Sequence, residues 1–432
     1  MPTPLIALLV SLCMTAVCSA QSRQIPAPKQ TLPVAIHGAT IHTLAGETIE
    51  DGYVIISDGI IQLVGKGHPP IADDVHLVDA KGQHLYPGLV SIGTQLGLLE
   101  TGATDVTHDH NELGSLTPEV KAIIAVNPDS DHLPVTRDTG ILTAVIFPSG
   151  GRVPGRSSAI RLDGWTNEDL TILDDAGLVI DWPNNVRRSS SGGPFGSSEA
   201  AEDASTDELD DLIEQARDWK QAYDAGERDF DLSMSAMQKV LNGEVPAYIK
   251  AQTIQQINTA VAWAKRHGLK PIIVGGANAP ECAELLIREN VPVICNGVMA
   301  LPSRRDLPFD QQFKLPKRLY ESGIAFCIAT GASGAHERRL PFHAGKAIAY
   351  GLPEDVAIEA ITKHAATICG LGDSHGTIES GKAATLILTD GSPVDIRTNV
   401  NKAWIDGREI SLESRHTELN KKYREKYNQL GR

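Results

Sequence analysis

The chain has 432 residues, a length that holds one large barrel-type domain with an accessory unit, or two to three ordinary domains. Hydrophobic residues at 41% and charged residues at 22% match a globular protein and exclude both wholesale disorder and a polytopic membrane protein. Asp and Glu number 54 against 39 Lys and Arg, a net charge of -15 that repels phosphate backbones and anionic lipid faces, so no nucleic-acid partner is expected.

Residues 1–20 read as a signal peptide, because Leu5 to Val17 is an almost unbroken apolar run followed by the small-x-small pattern Cys18-Ser19-Ala20. The segment before the run lacks Lys and Arg, which keeps an uncleaved anchor as the alternative. Export to a periplasmic or extracellular space is the expectation, with no membrane association after cleavage. Cys13 and Cys18 lie inside this segment, leaving Cys282, Cys295, Cys327 and Cys369. These four lack CxxC spacing, which rules out a zinc finger, and their apolar settings (VPVICNG, IAFCIATG) predict buried thiols.

A polar linker, residues 21–31, leads into short β-type runs over residues 32–85: VAIHGATIHTL, GYVIISDGIIQLVG and VHLVDAKGQHLYPG, broken by Gly and Asp turns. The same rhythm returns over residues 373–411 in GTIESGKAATLILTDGSP and NKAWIDGREI, so the two chain ends are expected to share one small sheet domain. Between them, over residues 86–372, apolar runs alternate with helical patterns such as Ile254 to His267, which predicts parallel strands with helical crossovers. Seven strands are legible, one short of a (β/α)₈ barrel, and the missing one is expected within residues 187–245. That region opens with a Ser/Gly/acidic stretch at about 187–206, read as a flexible insertion, and continues with a charged helix from Asp207 to Tyr223. Residues 412–432 form a polar helical tail, and with residues 187–230 they are the surfaces through which the chain could meet a second copy or an active relative.

The DGIIQLVG strand pair, the PGLV entry at Pro87 to Val90, the LPFHAGKAIAYGLPEDVAIEAITKHAATICGL helical region and the ESGK and DGRE turns together resemble the metal-dependent amidohydrolase superfamily, imidazolonepropionase-like branch. The resemblance covers nearly all of the chain after the signal segment. It implies a (β/α)₈ TIM-type barrel, a composite β-sandwich built by both chain ends, and hydrolysis of non-peptide C–N bonds by one or two divalent metals, zinc or another, at the barrel mouth. Such a metal polarises the scissile group and lowers the pKa of its water toward about 7.

The ligand positions implied by the resemblance are altered. The two histidines of the His-x-His pair map onto Gly93 and Gln95, the fifth-strand histidine onto Lys250, the sixth-strand histidine onto Ala277, and the eighth-strand aspartate onto Gly331. No Asp, Glu or His stands within two residues of Ala277 or Gly331, so a shifted alignment does not restore the site. The expectation is an exported, degenerate relative with no metal cofactor at these positions and its catalytic residues unknown. The alternatives are a non-catalytic binding or partner protein on the same barrel, or a hydrolase with a relocated metal.

His108 and His110, with Glu112, are the candidates for a relocated metal. Against them, THDHNELG reads as a solvated loop before a helix capped by Thr117-Pro118-Glu119, and alternation along an extended chain would point the two rings apart. Lys250 could supply part of the missing ion's charge and bind an anionic small molecule, or simply pair with a loop acid such as Glu100 or Asp105. Gln95, Asn278, Asn296 and His336 complete the pocket candidates, and the Gly-rich SGGRVPG at Ser149 to Gly155 is read as a flexible wall.

Overall fold

A computed structural model describes residues 25–70, 74–183, 205–302, 307–331 and 334–431. The signal segment and most of the 187–206 insertion lie outside the described residues. Two eight-stranded sheets organise the chain.

The first sheet holds β1 (Val34–Ile41), β2 (Ile49–Ser57), β3 (Ile60–Lys66), β4 (His76–Asp79) and β5 (His84–Pro87) from the front of the chain, with β14 (Leu386–Thr389), β15 (Val400–Ile405) and β16 (Arg408–Glu409) from its end. The order is β16-β15-β14-β5-β1-β2-β3, with β4 beside β1, so β14 and β5 pair antiparallel from Leu386 against Pro87 to Thr389 against His84. Alternation decides the buried face: Ile36, Ile56, Leu85, Leu386, Leu388 and Trp404 form its apolar core. β5 runs on almost directly into the second sheet.

The second sheet is curled, in the sequential order β6 (Leu89–Thr94), β7 (Ile141–Ile146), β8 (Gly155–Arg161), β9 (Thr171–Asp181), β10 (Ala247–Ala251), β11 (Pro271–Gly275), β12 (Val293–Cys295) and β13 (Phe326–Ile328). Strands buried on both faces need continuous apolar runs, and ILTAVI of β7 is buried at every position. One face packs inward around Val90, Val145, Val179, Tyr248, Ile294 and Cys327; the other meets the helices. The helix Ile254–Arg266 shows how these crossovers are written: a Thr253/Gln256 capping box starts it, and Ile257, Ala260, Val261 and Ala264 make its buried stripe.

All seven legible runs are strands, but the eighth is not where the sequence placed it. It is β8, antiparallel to both neighbours, whereas residues 207–241 carry the helices Asp207–Asp224 and Leu232–Leu241. The helix anticipated after Thr117 is also shorter, Ala122–Ala125, and its cap position is Lys121; Thr117 instead donates its hydroxyl to the Val153 carbonyl. SGGRVPG is held rather than loose. The Arg152 and Val153 amides both donate to Ser115 O, and a Cβ on Gly155 would sit 2.5 Å from Val120 O.

Glu337 bridges the two ends of the curl. Its side chain is fully buried and accepts hydrogen bonds from Ser91 on β6 and from Thr330 just after β13, the latter at 2.9 Å. Nearby, the Val90 amide donates to Ile361 O, and the helix Lys363–Ile368 packs on both β6 and β13.

The four cysteines Cys282, Cys295, Cys327 and Cys369 are free and buried. Burial pushes the Cys295 and Cys369 thiols up to about 12, which leaves them without thiolate character.

Candidate functional site

A parallel strand's C-terminal end is where this class of sheet presents chemistry, because the inward side chains there emerge from the apolar interior. Period-two alternation carries the inward face from Val179 to Asp181, from Tyr248 to Lys250, from Ile294 to Asn296 and from Ala329 to Gly331. Those residues set the rim.

Asp181 and Lys250 stand opposite each other in the β9–β10 register, and the Lys250 ammonium donates to Asp181 Oδ2 at 3.0 Å. Lys250 therefore meets its counter-charge on the adjacent strand, not on Glu100 or Asp105 in the loop after β6. The reason is proximity: one ladder step places the acid within reach, without the entropy of ordering a loop. The side chains are 29% and 44% exposed, so solvent screens the pair and it contributes little to stability. Arg152 donates to the Asp181 carbonyl at 3.0 Å and ties the end of β9 down.

Gln95 is engaged as well, its amide donating to Ser149 Oγ at 3.0 Å across the ends of β6 and β7. Asn278 begins a short turn after β11, with its amide donating to Gln252 O, and Asn296 lies partly buried beside Gly331. His336 is exposed on the turn after β13. The structure thus brings Lys250, Asp181, Gln95, Ser149 and Asn296 to the strand ends and leaves His336 at the surface.

His108 and His110 do not point apart as alternation suggests; their ring centroids are 5.5 Å from each other, because the chain turns there instead of running extended. Burial, with His108 adding to it, holds the His110 ring below its ordinary pKa. Among the described residues, no group of three or more His, Cys, Asp or Glu comes together in a way that could hold a metal ion.

Three comparisons place this geometry. A solved amidohydrolase from Thermotoga maritima MSB8 superposes with a TM-score of 0.78 at 25% identity, covering 87% of this chain and 99% of that one. The chain resembles proteins named amidohydrolase in both sequence and fold. The fold alone is shared with a molinate hydrolase, at TM-score 0.56 and 16% identity over 90% of this chain and 96% of that one. Among curated proteins, Amidohydrolase tasK of Hapsidospora irregularis is 22% identical over 404 residues, which is 82% of this chain but 39% of that much longer protein. No family model matches the sequence.

The residues that the resemblance maps onto metal-ligand positions do not fit a divalent ion. Gly93 sits at positive φ in a register shift of β6, and the buried Phe147 ring lies 3.5 Å from where its Cβ would be. Phe147 in turn packs on Tyr248 with centroids 4.7 Å apart, filling the interior below the mouth with aromatic rings. Gly331 is also at positive φ, and a Cβ there would stand 2.9 Å from Asn296 Cβ and 3.1 Å from the Gly297 amide. Ala277 offers no donor, the Gln95 amide is occupied, and Lys250 brings a positive charge. A divalent ion leaving water needs four or more donors in return, and an ammonium among them repels it.

Sequence reasoning missed Asp181 and Glu337, and it took Ser149 only as the start of a flexible wall. Asp181 sat in plain view at the end of GLVIDWP, and the alternation that makes Val179 inward also makes Asp181 inward. Glu337 carried no such signal, since it stands in AHERRL among charged neighbours. Burial holds its carboxyl above the usual range, while hydrogen bonds from Ser91, Thr330 and Thr94 pull it back down.

Proposed function

We propose that this amidohydrolase relative is exported, has lost metal-dependent C–N hydrolysis, and uses the mouth of its curled sheet to bind a small molecule. One observation carries the reading: the five family ligand positions are two glycines, an alanine, an engaged amide and an ion-paired lysine. In this reading the curl is a closed TIM-type barrel with one reversed strand, Glu337 seals its seam, and the two chain ends form a β-sandwich.

The Lys250–Asp181 pair refines the ligand. An isolated Lys250 would call for a simple anion, but a neutral pair suits a molecule that offers a carboxylate to Lys250 and a hydrogen-bond donor or ammonium to Asp181. Gln95, Ser149 and Asn296 add uncharged hydrogen-bonding groups on the same rim.

The rival reading is a hydrolase whose metal has moved to His108 and His110. Elemental analysis of chelator-free protein, with a thermal-shift screen of small amides, amino acids and carboxylates, separates the two. Metal well below one equivalent per chain, no response to a chelator, and stabilisation by a carboxylate ligand that Lys250→Ala abolishes are the expected outcomes. A full equivalent of zinc, iron or manganese whose removal lowers the melting temperature would overturn the proposal.

A further inference from the structure

We propose that the basic C-terminal helix docks onto a second copy of this chain, on the acidic helix Asp207–Asp224 and the aromatic patch that follows it. The helix Arg415–Gln429 buries none of its residues, although it is started firmly by a Ser414/Thr417 capping box and tied at that end to Asp138. Beyond Leu419, which is half-buried near the helix His132–Arg137, it is exposed all round and gains nothing from packing, and an isolated helix of this length is marginal in water. Cover from outside the chain's own core would stabilise it.

Its chemistry indicates what. Five basic residues stand against two acidic ones in a protein of net charge -15. Lys422 and Lys426 lie over the Tyr423 ring, at 6.0 and 5.8 Å from its centroid. Beside them Tyr423, Tyr427 and Leu430 form a stripe at helical spacing, 48%, 50% and 58% exposed.

The acidic helix is the complement. It carries seven acidic residues against two basic ones, and Asp207, Asp211, Glu214 and Asp218 recur every three or four positions along one exposed stripe. Its inner face, with Leu209, Leu212, Ile213 and Ala216, is already buried in the core, so only the outer face is available. At its end Trp219 stacks on Tyr223 with centroids 4.9 Å apart, and Phe230 meets Trp219 edge-on. Phe230 and Leu232 are 61% and 59% exposed. An acidic stripe beside exposed aromatics matches a basic stripe beside exposed tyrosines.

A lipid face is the weaker fit, because an interfacial helix needs a broad Trp, Phe and Leu face and this one offers tyrosines and a terminal leucine. If two copies exchange these helices about a two-fold axis, the contact is made twice, each about 22 Å long at 1.5 Å per residue. The net charge of the bodies is screened beyond about 8 Å at physiological ionic strength, whereas the helix contact acts at closer range.

Sedimentation velocity of the full chain over a concentration series tests this. A dimer is expected, together with a monomer when the chain is ended at Ser414, at an unchanged melting temperature. A second pair of variants guards against misfolding: Lys422→Glu/Arg424→Glu/Lys426→Glu, and Asp211→Lys/Glu214→Lys/Asp218→Lys. Each should weaken self-association at least tenfold alone, and mixing the two should restore a hetero-dimer through the swapped charges. A full chain that stays monomeric throughout, a dimer that survives the truncation, or a mixture that does not associate would each overturn the proposal. Helix-dependent capture by phosphatidylglycerol vesicles of a chain that stays monomeric would overturn it in favour of a membrane surface.

Discussion

Replacing Glu337 tests whether a single carboxyl holds the seam of the curled sheet. In Glu337→Ala, the Ser91 hydroxyl loses the carboxylate it donates to and Thr330 loses one of its contacts, in a buried space. A stranded buried polar group costs about 1–3 kcal/mol, and the void left by the side chain adds to it, so a loss of roughly 2–4 kcal/mol is expected. Glu337→Gln keeps the shape and the hydrogen-bonding capacity, and it isolates the proton. Burial raises the folded-state pKa of Glu337 above its unfolded value, so the folded chain holds the proton more tightly. The stability this contributes is complete below the unfolded pKa and is lost as pH rises through the folded pKa, at about 1.4 kcal/mol per pH unit within that window. Glu337→Gln has no such slope. Urea unfolding of the three proteins from pH 4 to 9 should show wild type falling relative to Glu337→Gln as pH increases, with Glu337→Ala least stable throughout. A Glu337→Ala protein within 0.5 kcal/mol of wild type, or a wild type that gains on Glu337→Gln with rising pH, would refute the reasoning.

Lys250→Ala and Asp181→Asn each remove half of a solvent-screened pair, so a stability change below about 1 kcal/mol is expected, while carboxylate-dependent thermal shifts disappear in Lys250→Ala and ammonium-dependent ones weaken in Asp181→Asn. His343 is 5% exposed, and burial, with Arg339 beside it, depresses its pKa to about 4. Because the folded state binds that proton less readily than the unfolded one, stability should fall as pH drops below about 6.5, by up to about 1.4 kcal/mol per unit. His343→Gln should flatten that acid limb in denaturant titrations at pH 4 to 7, and an unchanged limb would place the lability elsewhere. Gly331→Asp restores the family's acidic residue type but at φ +64 and against Asn296, so a cost of about 1–3 kcal/mol and no gain of zinc are expected by denaturation and elemental analysis.

What the sequence disclosed follows from how local each signal is. The strand ILTAVI and the helix Ile254–Arg266 announce themselves within their own residues, by an unbroken apolar run and by a cap with a 3.6-residue stripe. β8 does not, since GRSSAIR reads as polar. Its Ser157 and Ser158 are buried only because they donate to the Gly177 and Asp174 carbonyls, and Arg156 because it pairs with Asp175. The site shows the same division. The absence of ligands at Gly93, Ala277 and Gly331 is written in single letters, whereas the Lys250–Asp181 pair spans 69 positions and the Ser91–Glu337 bond 246. Long-range pairs of this kind depend on the fold being known.

The pairing of β5 with β14 sets a schedule for the chain's own assembly. When His84–Pro87 leaves the ribosome, its partner Leu386–Thr389 lies some 300 residues behind. At about 5–20 residues per second, that is roughly 15–60 s of synthesis. Throughout that interval β5 presents unpaired amides and carbonyls at an open edge, the kind of template that recruits other nascent chains. The nascent first sheet therefore depends on a holding chaperone or on remaining unfolded until the last strands arrive. A fragment that stops before Leu386 should accumulate as aggregate, even though it contains every strand of the curled sheet.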